Sequence, residues 1–171
     1  MSTTPNIIAP PAHLRRVDSP IGRLELSSDG KSITHLTIER FGRLPLEAFG
    51  ENPNRVLEKA ARQLEEYFSG KRREFTLPLA ARGTAFQHAI WDQLSALAWG
   101  EVTTYGELGR GTGRPTAGRA VGGAIGANPI PIIVPCHRVL GSDGRVTGYS
   151  GGNGIPTKLW LLEHEGVLLA A

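Results

Sequence analysis

The chain has 171 residues, with one cysteine, one methionine and only 6% aromatic side chains. A single thiol closes no internal disulfide and shares no structural zinc site with a second thiol. It suits a reducing compartment, so the expected location is the cytoplasm. No apolar run approaches the ~20 residues of a membrane-spanning helix. The stretch Met1-Ser2-Thr3-Thr4-Pro5-Asn6 lacks the basic-then-apolar order of a secretory signal, and with Pro5, Pro10 and Pro11 residues 1–12 read as a flexible tail. Internal repeats and low-complexity blocks are missing. Apart from His137, the histidines (His13, His35, His88, His164) are scattered without metal-ligand spacing, so neither a metal nor a cofactor is expected. Acidic residues are absent between Leu108 and Ser142, where Arg110, Arg114, Arg119 and Arg138 fall. That cluster fits either phosphate contact or an ordinary solvated surface.

What is present divides at Ala80–Gly83. In residues 14–40, Arg23 to Ser27 and Ile33 to Ile38 alternate in polarity around Asp29-Gly30, a hairpin signal. Residues 54–69 read as an amphipathic helix with Val56, Leu57, Ala60, Ala61, Leu64 and Phe68 in one stripe, stopped by Gly70. A short strand is expected from Glu74 to Leu79. Beyond the joint, Thr84-Ala85-Phe86-Gln87 has capping-box form and opens a helix with Phe86, Ile90 and Leu94 on one face, ended by Gly100. Thr104-Tyr105-Gly106-Glu107 repeats the form and starts a short helix to about Arg110. Thr116 is the expected cap of a third helix that Asn128-Pro129 stops. The fold class is α/β (α+β): a small N-terminal β-sheet-plus-helix domain, 1–82, and a mostly helical C-terminal domain with a helix-turn-helix, 83–171.

Two features carry chemistry. The third helix is built of Gly118, Ala120, Gly122, Gly123, Ala124, Gly126 and Ala127, with Arg119 as its one long charged side chain. Each glycine costs about 1 kcal/mol of helix propensity relative to alanine, so another requirement selects it: tight packing within the protein, or close approach of a nucleic-acid backbone. The second feature is Ile132-Ile133-Val134-Pro135-Cys136-His137-Arg138-Val139. Here Cys136 is either an inert buried side chain or a nucleophile. A cationic His137 or Arg138 near the sulfur would favour thiolate. Adjacent side chains of an extended segment diverge, so direct contact between Cys136 and His137 is not expected.

The ordered set Tyr105-Gly106-Glu107-Leu108, Arg119-Ala120-Val121-Gly122-Gly123-Ala124, Asn128-Pro129, Pro135-Cys136-His137-Arg138-Val139, Gly148-Tyr149-Ser150-Gly151-Gly152 and Trp160 to Gly166 resembles the methylated-DNA–protein-cysteine methyltransferases, the O6-alkylguanine-DNA alkyltransferases. The resemblance covers nearly all of 83–171. It implies direct reversal of O6-methylguanine, and less efficiently O4-methylthymine, by one irreversible alkyl transfer to Cys136. The partner it implies is double-stranded DNA bound through the minor groove, by a monomer, with cooperative binding left open. His137 would take the thiol proton and Glu165 would orient the imidazole. Tyr105 would promote base rotation and offset charge at guanine N3, while Arg119 fills the gap in the stack. Thr116, Ala120, Gly122 and Gly123 would lie along the groove. Asn128 would brace the active-site turn. Val139, Thr147, Tyr149 and Ser150 would form the pocket. Gly109-Arg110-Gly111 is glycine-heavier than the family pattern, which is expected to loosen the first helix of the pair. The alternatives are a non-catalytic lesion sensor, which would lack the acceptor cysteine, and an unrelated cysteine hydrolase, which would leave the glycine helix unexplained.

Overall fold

The alternating segments of the N-terminal half pair as an antiparallel sheet in the order β1 (His13–Val17), β2 (Leu24–Ser28), β3 (Ile33–Ile38). The computed structural model describes residues 9–169; the expected tail lies, up to residue 8, outside the described residues. Asp29 closes the hairpin by accepting from the amides of Lys31 and Ser32, both at 2.9 Å. β2 is buried on both faces. Its inward carboxylate, Glu25, is satisfied by Arg16 Nε at 3.1 Å and the Leu46 amide at 2.9 Å, as burial of a charge requires. Residues 74–79 form no strand. Only an isolated bridge joins Ile33 to Leu79, because Pro78 has no N–H with which to extend a ladder.

Helix α1 (Arg55–Phe68) is capped by Asn54, whose Oδ1 accepts from Leu57 N at 3.0 Å. Its buried stripe differs from the expected one: Val56 and Phe68 are only partly covered, and Gln63 and Tyr67 are buried. Helix α2 (Ala85–Ser95) carries the Thr84–Gln87 capping box. It ends well before Gly100, which occupies the following turn at φ 80.

The helix-turn-helix is α3 (Tyr105–Gly111), with the Thr104–Glu107 capping box, followed by α4 (Gly118–Gly126). Thr116 is not the cap of α4. A turn bonded from the Ala117 amide to Arg114 O delays the helix, and its N-cap is Ala117, without a side-chain bond. Nor are the glycines of α3 loose. A Cβ at Gly109 would stand 2.8 Å from Arg114 O, and one at Gly111 would collide with the Gln93 side chain. Trp91 Nε1 donates to Ala124 O at 2.8 Å and locks α2 to α4.

A two-residue parallel ladder, β4 (Thr103–Thr104) with β5 (Val139–Leu140), ties the start of α3 to the segment after Cys136. The last helix, α5 (Ile155–His164), docks on α1 through an aromatic cluster in which Tyr67 meets His164 at 5.2 Å and Phe68 meets Trp160 at 5.7 Å. Among the described residues no helix is long and apolar enough to cross a membrane.

Candidate active site and nucleic-acid interface

The chain reaches Cys136 through a braced turn. Past α4, Asn128 Oδ1 accepts from Ile130 N at 3.0 Å and its Nδ2 donates to Val134 O at 2.8 Å. Ile132 sits at φ 73, a left-handed conformation that a β-branched residue adopts only when its surroundings hold it there. Pro135 (φ −81, ψ 67) then forms an inverse γ-turn, with Cys136 N bonded to Val134 O at 2.8 Å. Cys136–Arg138 is a single turn of 3-10 helix and not the expected extended segment. The two side chains still part company: His137 turns inward to Glu165, while Cys136 faces a cavity.

Glu165 lies 2% exposed at the end of α5 and takes three donors. Arg138 Nε reaches its Oε1 at 2.7 Å; His137 Nε2 and the Tyr67 hydroxyl reach Oε2 at 2.7 and 2.6 Å. Burial alone would raise the carboxyl pKa. The bonds from His137, Arg138 and Tyr67 outweigh it and hold the carboxyl at about 2. For His137, fully buried, desolvation wins over the pull of Glu165 and lowers the pKa, so the imidazole is neutral. A carboxylate only accepts, so the single ring proton is on Nε2. The lone pair is then on Nδ1, a buried atom with no hydrogen-bond partner among the described residues.

Burial pushes the Cys136 thiol up, against the opposing influence of Asn128, Lys158 and Tyr149. The resting form is the thiol, which needs a base to react. Arg138 does not supply the expected cation at the sulfur, because its guanidinium is taken by Glu165 and by Leu97 O at 2.8 Å. That role falls to Lys158, which the sequence reading missed. Lys158 is 1% exposed, burial lowers its pKa to about 8, and Nζ donates to Val139 O at 2.5 Å and Gly148 O at 3.0 Å. A signal for it existed: Leu161, Leu162 and Glu165 follow it at helical spacing, which puts Lys158 on the buried face.

The cavity over the thiol has a volume of about 160 Å³ and is bounded by Tyr105, Gly122, Ile125, Gly126, Cys136, Gly148, Tyr149 and Ser150. Thr147 is not in its wall; it meets the Tyr105 hydroxyl at 3.0 Å. The Val139 side chain is fully buried, and its carbonyl is engaged by Lys158. Among the described residues the buried Tyr149 hydroxyl has no nitrogen or oxygen partner, and burial followed by the neighbouring Cys136 sulfur keeps it a phenol. On the outside of the same wall, Arg119, Ala120 and Gly123 are exposed. Among the described residues, a Cβ at Gly118, Gly122, Gly123 or Gly126 would meet nothing within 4 Å. Packing explains the buried Ala124, which accepts the Trp91 bond, but not these four glycines. Thr116 is exposed in the turn before them. The arginine cluster is not one surface: Arg138 is inside, and Arg114 lies over the Phe86 ring at 5.2 Å.

Fold and site together define a class: a sheet-and-helix unit joined to a helix-turn-helix unit that carries a buried thiol opening into a cavity, a neutral imidazole and a carboxylate bonded to it. The chain belongs to the 6-O-methylguanine DNA methyltransferase family. The family's ribonuclease-like domain matches residues 14–81, and its DNA binding domain matches residues 85–167. The methylated-DNA–protein-cysteine methyltransferase of Haemophilus influenzae is 45% identical over 155 residues, 86% of this chain and 82% of that protein. The Mycobacterium tuberculosis H37Rv protein of the same name is 44% identical over 153 residues, 90% of this chain and 92% of that one. The crystal structure of the M. tuberculosis O6-methylguanine methyltransferase superposes with a TM-score of 0.80 at 43% identity, covering 93% of this chain and 96% of that one. A structure of the M. tuberculosis protein in complex with DNA gives 0.77 at 44% identity, covering 90% and 92%.

Proposed function

We propose that this chain repairs O6-alkylguanine in double-stranded DNA by a single irreversible transfer of the alkyl group to Cys136. One observation carries the reading: the thiol opens into a cavity whose wall, α4, shows a face of small residues to the outside with room for a partner. That face lies along the minor groove, with Thr116, Ala120, Gly122 and Gly123 against the strands. The damaged nucleotide rotates out of the stack into the cavity, Arg119 fills the gap, and Tyr105 crowds the neighbouring phosphate.

His137 Nδ1 takes the thiol proton through a bridging water. The sulfur attacks the alkyl carbon in line with its bond to O6; the S–C bond forms as the C–O6 bond breaks, and the electron pair stays on guanine. The Tyr105 hydroxyl hydrogen-bonds N3 and offsets that charge until the base regains a proton from solvent. The Ser150 amide approaches O6, the carbonyl of Cys136 and the second lone pair of the Val139 carbonyl, whose first is taken by Lys158, accept from the exocyclic amine, and Tyr149 walls the pocket. O4-methylthymine is a poorer substrate. The thioether product is inert, so each molecule acts once, without metal or cofactor. Residues 1–82 and 83–171 are the two domains, and the protein acts as a monomer in the cytoplasm. A lesion sensor would have no use for a thiol backed by a poised base.

The test is to incubate the protein with duplex DNA carrying O6-methylguanine and map the adduct by peptide mass spectrometry. A methyl group on Cys136, absent from Cys136→Ser, supports the proposal; repair that leaves Cys136 unmodified overturns it.

A further inference from the structure

Resting on that reading of Cys136 and His137, we infer that Tyr67, from the N-terminal half, is a positioning residue for the reaction: its hydroxyl holds Glu165 in the orientation that fixes the His137 tautomer. The geometry is direct. Tyr67 is 1% exposed, and its hydroxyl donates at 2.6 Å to Oε2, the same oxygen that takes His137 Nε2–H at 2.7 Å, across 98 positions of chain. Arg138 occupies Oε1. Those three bonds engage both carboxylate oxygens, and the pull of Oε2 on the imidazole is shared with the phenol.

Tyr67 is itself fixed. Its ring lies edge-on to Trp99 at 5.5 Å and to Phe68 at 5.0 Å, and His164 Nε2 donates to its backbone carbonyl at 2.8 Å. His164 directly precedes Glu165, so α1 grips the end of α5 at two adjacent residues. A carboxylate at a helix C-terminus is disfavoured by the helix dipole and needs donors from elsewhere; α1 supplies one. Burial, then the neighbouring Glu165 charge, push the Tyr67 pKa far up, so the phenol stays a donor at any working pH. The ionisable groups around this centre are His137, Arg138 and Glu165, with His164 against Tyr67, and Lys158, Cys136 and Tyr149 on the cavity side. The N-terminal half thus contributes to the chemistry as well as to packing.

The experiment measures single-turnover methyl transfer against pH for the full chain, for Tyr67→Phe, and for a variant with 3,5-difluorotyrosine at position 67. Losing a hydrogen bond to a charged group slows Tyr67→Phe by about tenfold. Glu165 then acts more strongly on His137, so the acid limb of the profile moves to higher pH. The fluorinated phenol donates more strongly and moves the limb the other way. A purely structural role lowers the melting temperature and leaves the limb in place. A folded Tyr67→Phe protein with an unmoved limb and a rate within about twofold of the parent overturns the inference. If Tyr67→Phe does not fold, the fluorinated variant, which keeps ring and hydroxyl, decides by the direction of its shift. Failure of the unaltered protein to methylate Cys136 would instead refute the proposed function.

Discussion

Replacing Glu165 with glutamine keeps the side chain's size and removes one acceptor. Three donors converge on the carboxylate: Arg138 Nε on Oε1, His137 Nε2 and the Tyr67 hydroxyl on Oε2. An amide has one acceptor oxygen and one NH₂ group. The guanidinium can only donate, so the amide oxygen must face Arg138 and the NH₂ must face His137 and Tyr67. The Tyr67 hydroxyl turns to accept. His137 accepts only if its proton moves from Nε2 to Nδ1, which removes the proposed base. The amide variant of a serine-protease triad carboxylate loses ~10⁴-fold by the same tautomer error. A thiol needs less help than a serine hydroxyl, so we expect about 10²-fold to 10³-fold slower methyl transfer.

Stability changes too. The folded Glu165 carboxyl titrates at about 2 against an ordinary 4.5. Removing one partner of a buried ion pair costs about 3–5 kcal/mol, and Glu165 is paired with Arg138 at 2.7 Å. The folded pKa is depressed, so the contribution is complete above pH 4.5 and disappears as the pH falls towards about 2. Glu165→Gln should therefore be less stable to urea at neutral pH and should lack that part of the acid dependence. A glutamine variant that transfers methyl within about threefold of the parent rate would refute the tautomer argument.

Other outcomes follow from the same contacts. Gly123→Leu, at an open helical position, should gain up to ~1 kcal/mol in stability while its affinity for duplex DNA, read by fluorescence anisotropy, falls by about tenfold or more; unchanged affinity would remove α4 from the interface. Gly109→Ala places a Cβ 2.8 Å from the backbone oxygen of Arg114 and should lose about 1–3 kcal/mol by urea denaturation. Lys158→Met leaves the carbonyls of Val139 and Gly148 without their donor, which should cost about 2 kcal/mol or more and slow alkylation of Cys136. Full stability with a normal rate would show that the buried amine matters to neither.

The elements visible in the sequence were those set by local rules. Thr84 with Gln87 and Thr104 with Glu107 are capping boxes in the string and in the fold, and Asp29-Gly30 closes its hairpin as the residues suggest. Thr116 misled because a good capping residue does not act as a cap when a turn at Arg114–Ala117 intervenes. The glycines of α3 and α4 look alike in sequence, yet Gly111 is pressed by Gln93 while Gly123 faces open space; only tertiary neighbours separate the two. Tyr67 sat beside a stripe read as ending on Phe68, and a tyrosine on an apolar face reads as core. Its hydroxyl meets a carboxylate far along the chain, which no local pattern encodes. Lys158 was hidden by the habit of placing lysines in solvent.

The most direct test of the central claim is a count. With O6-methylguanine duplex in excess over a known amount of protein, the loss of methylguanine should stop at one equivalent per molecule, with every Cys136 carrying one methyl group. Continued loss beyond one equivalent, or a plateau with Cys136 unmodified, would contradict a single-use acceptor.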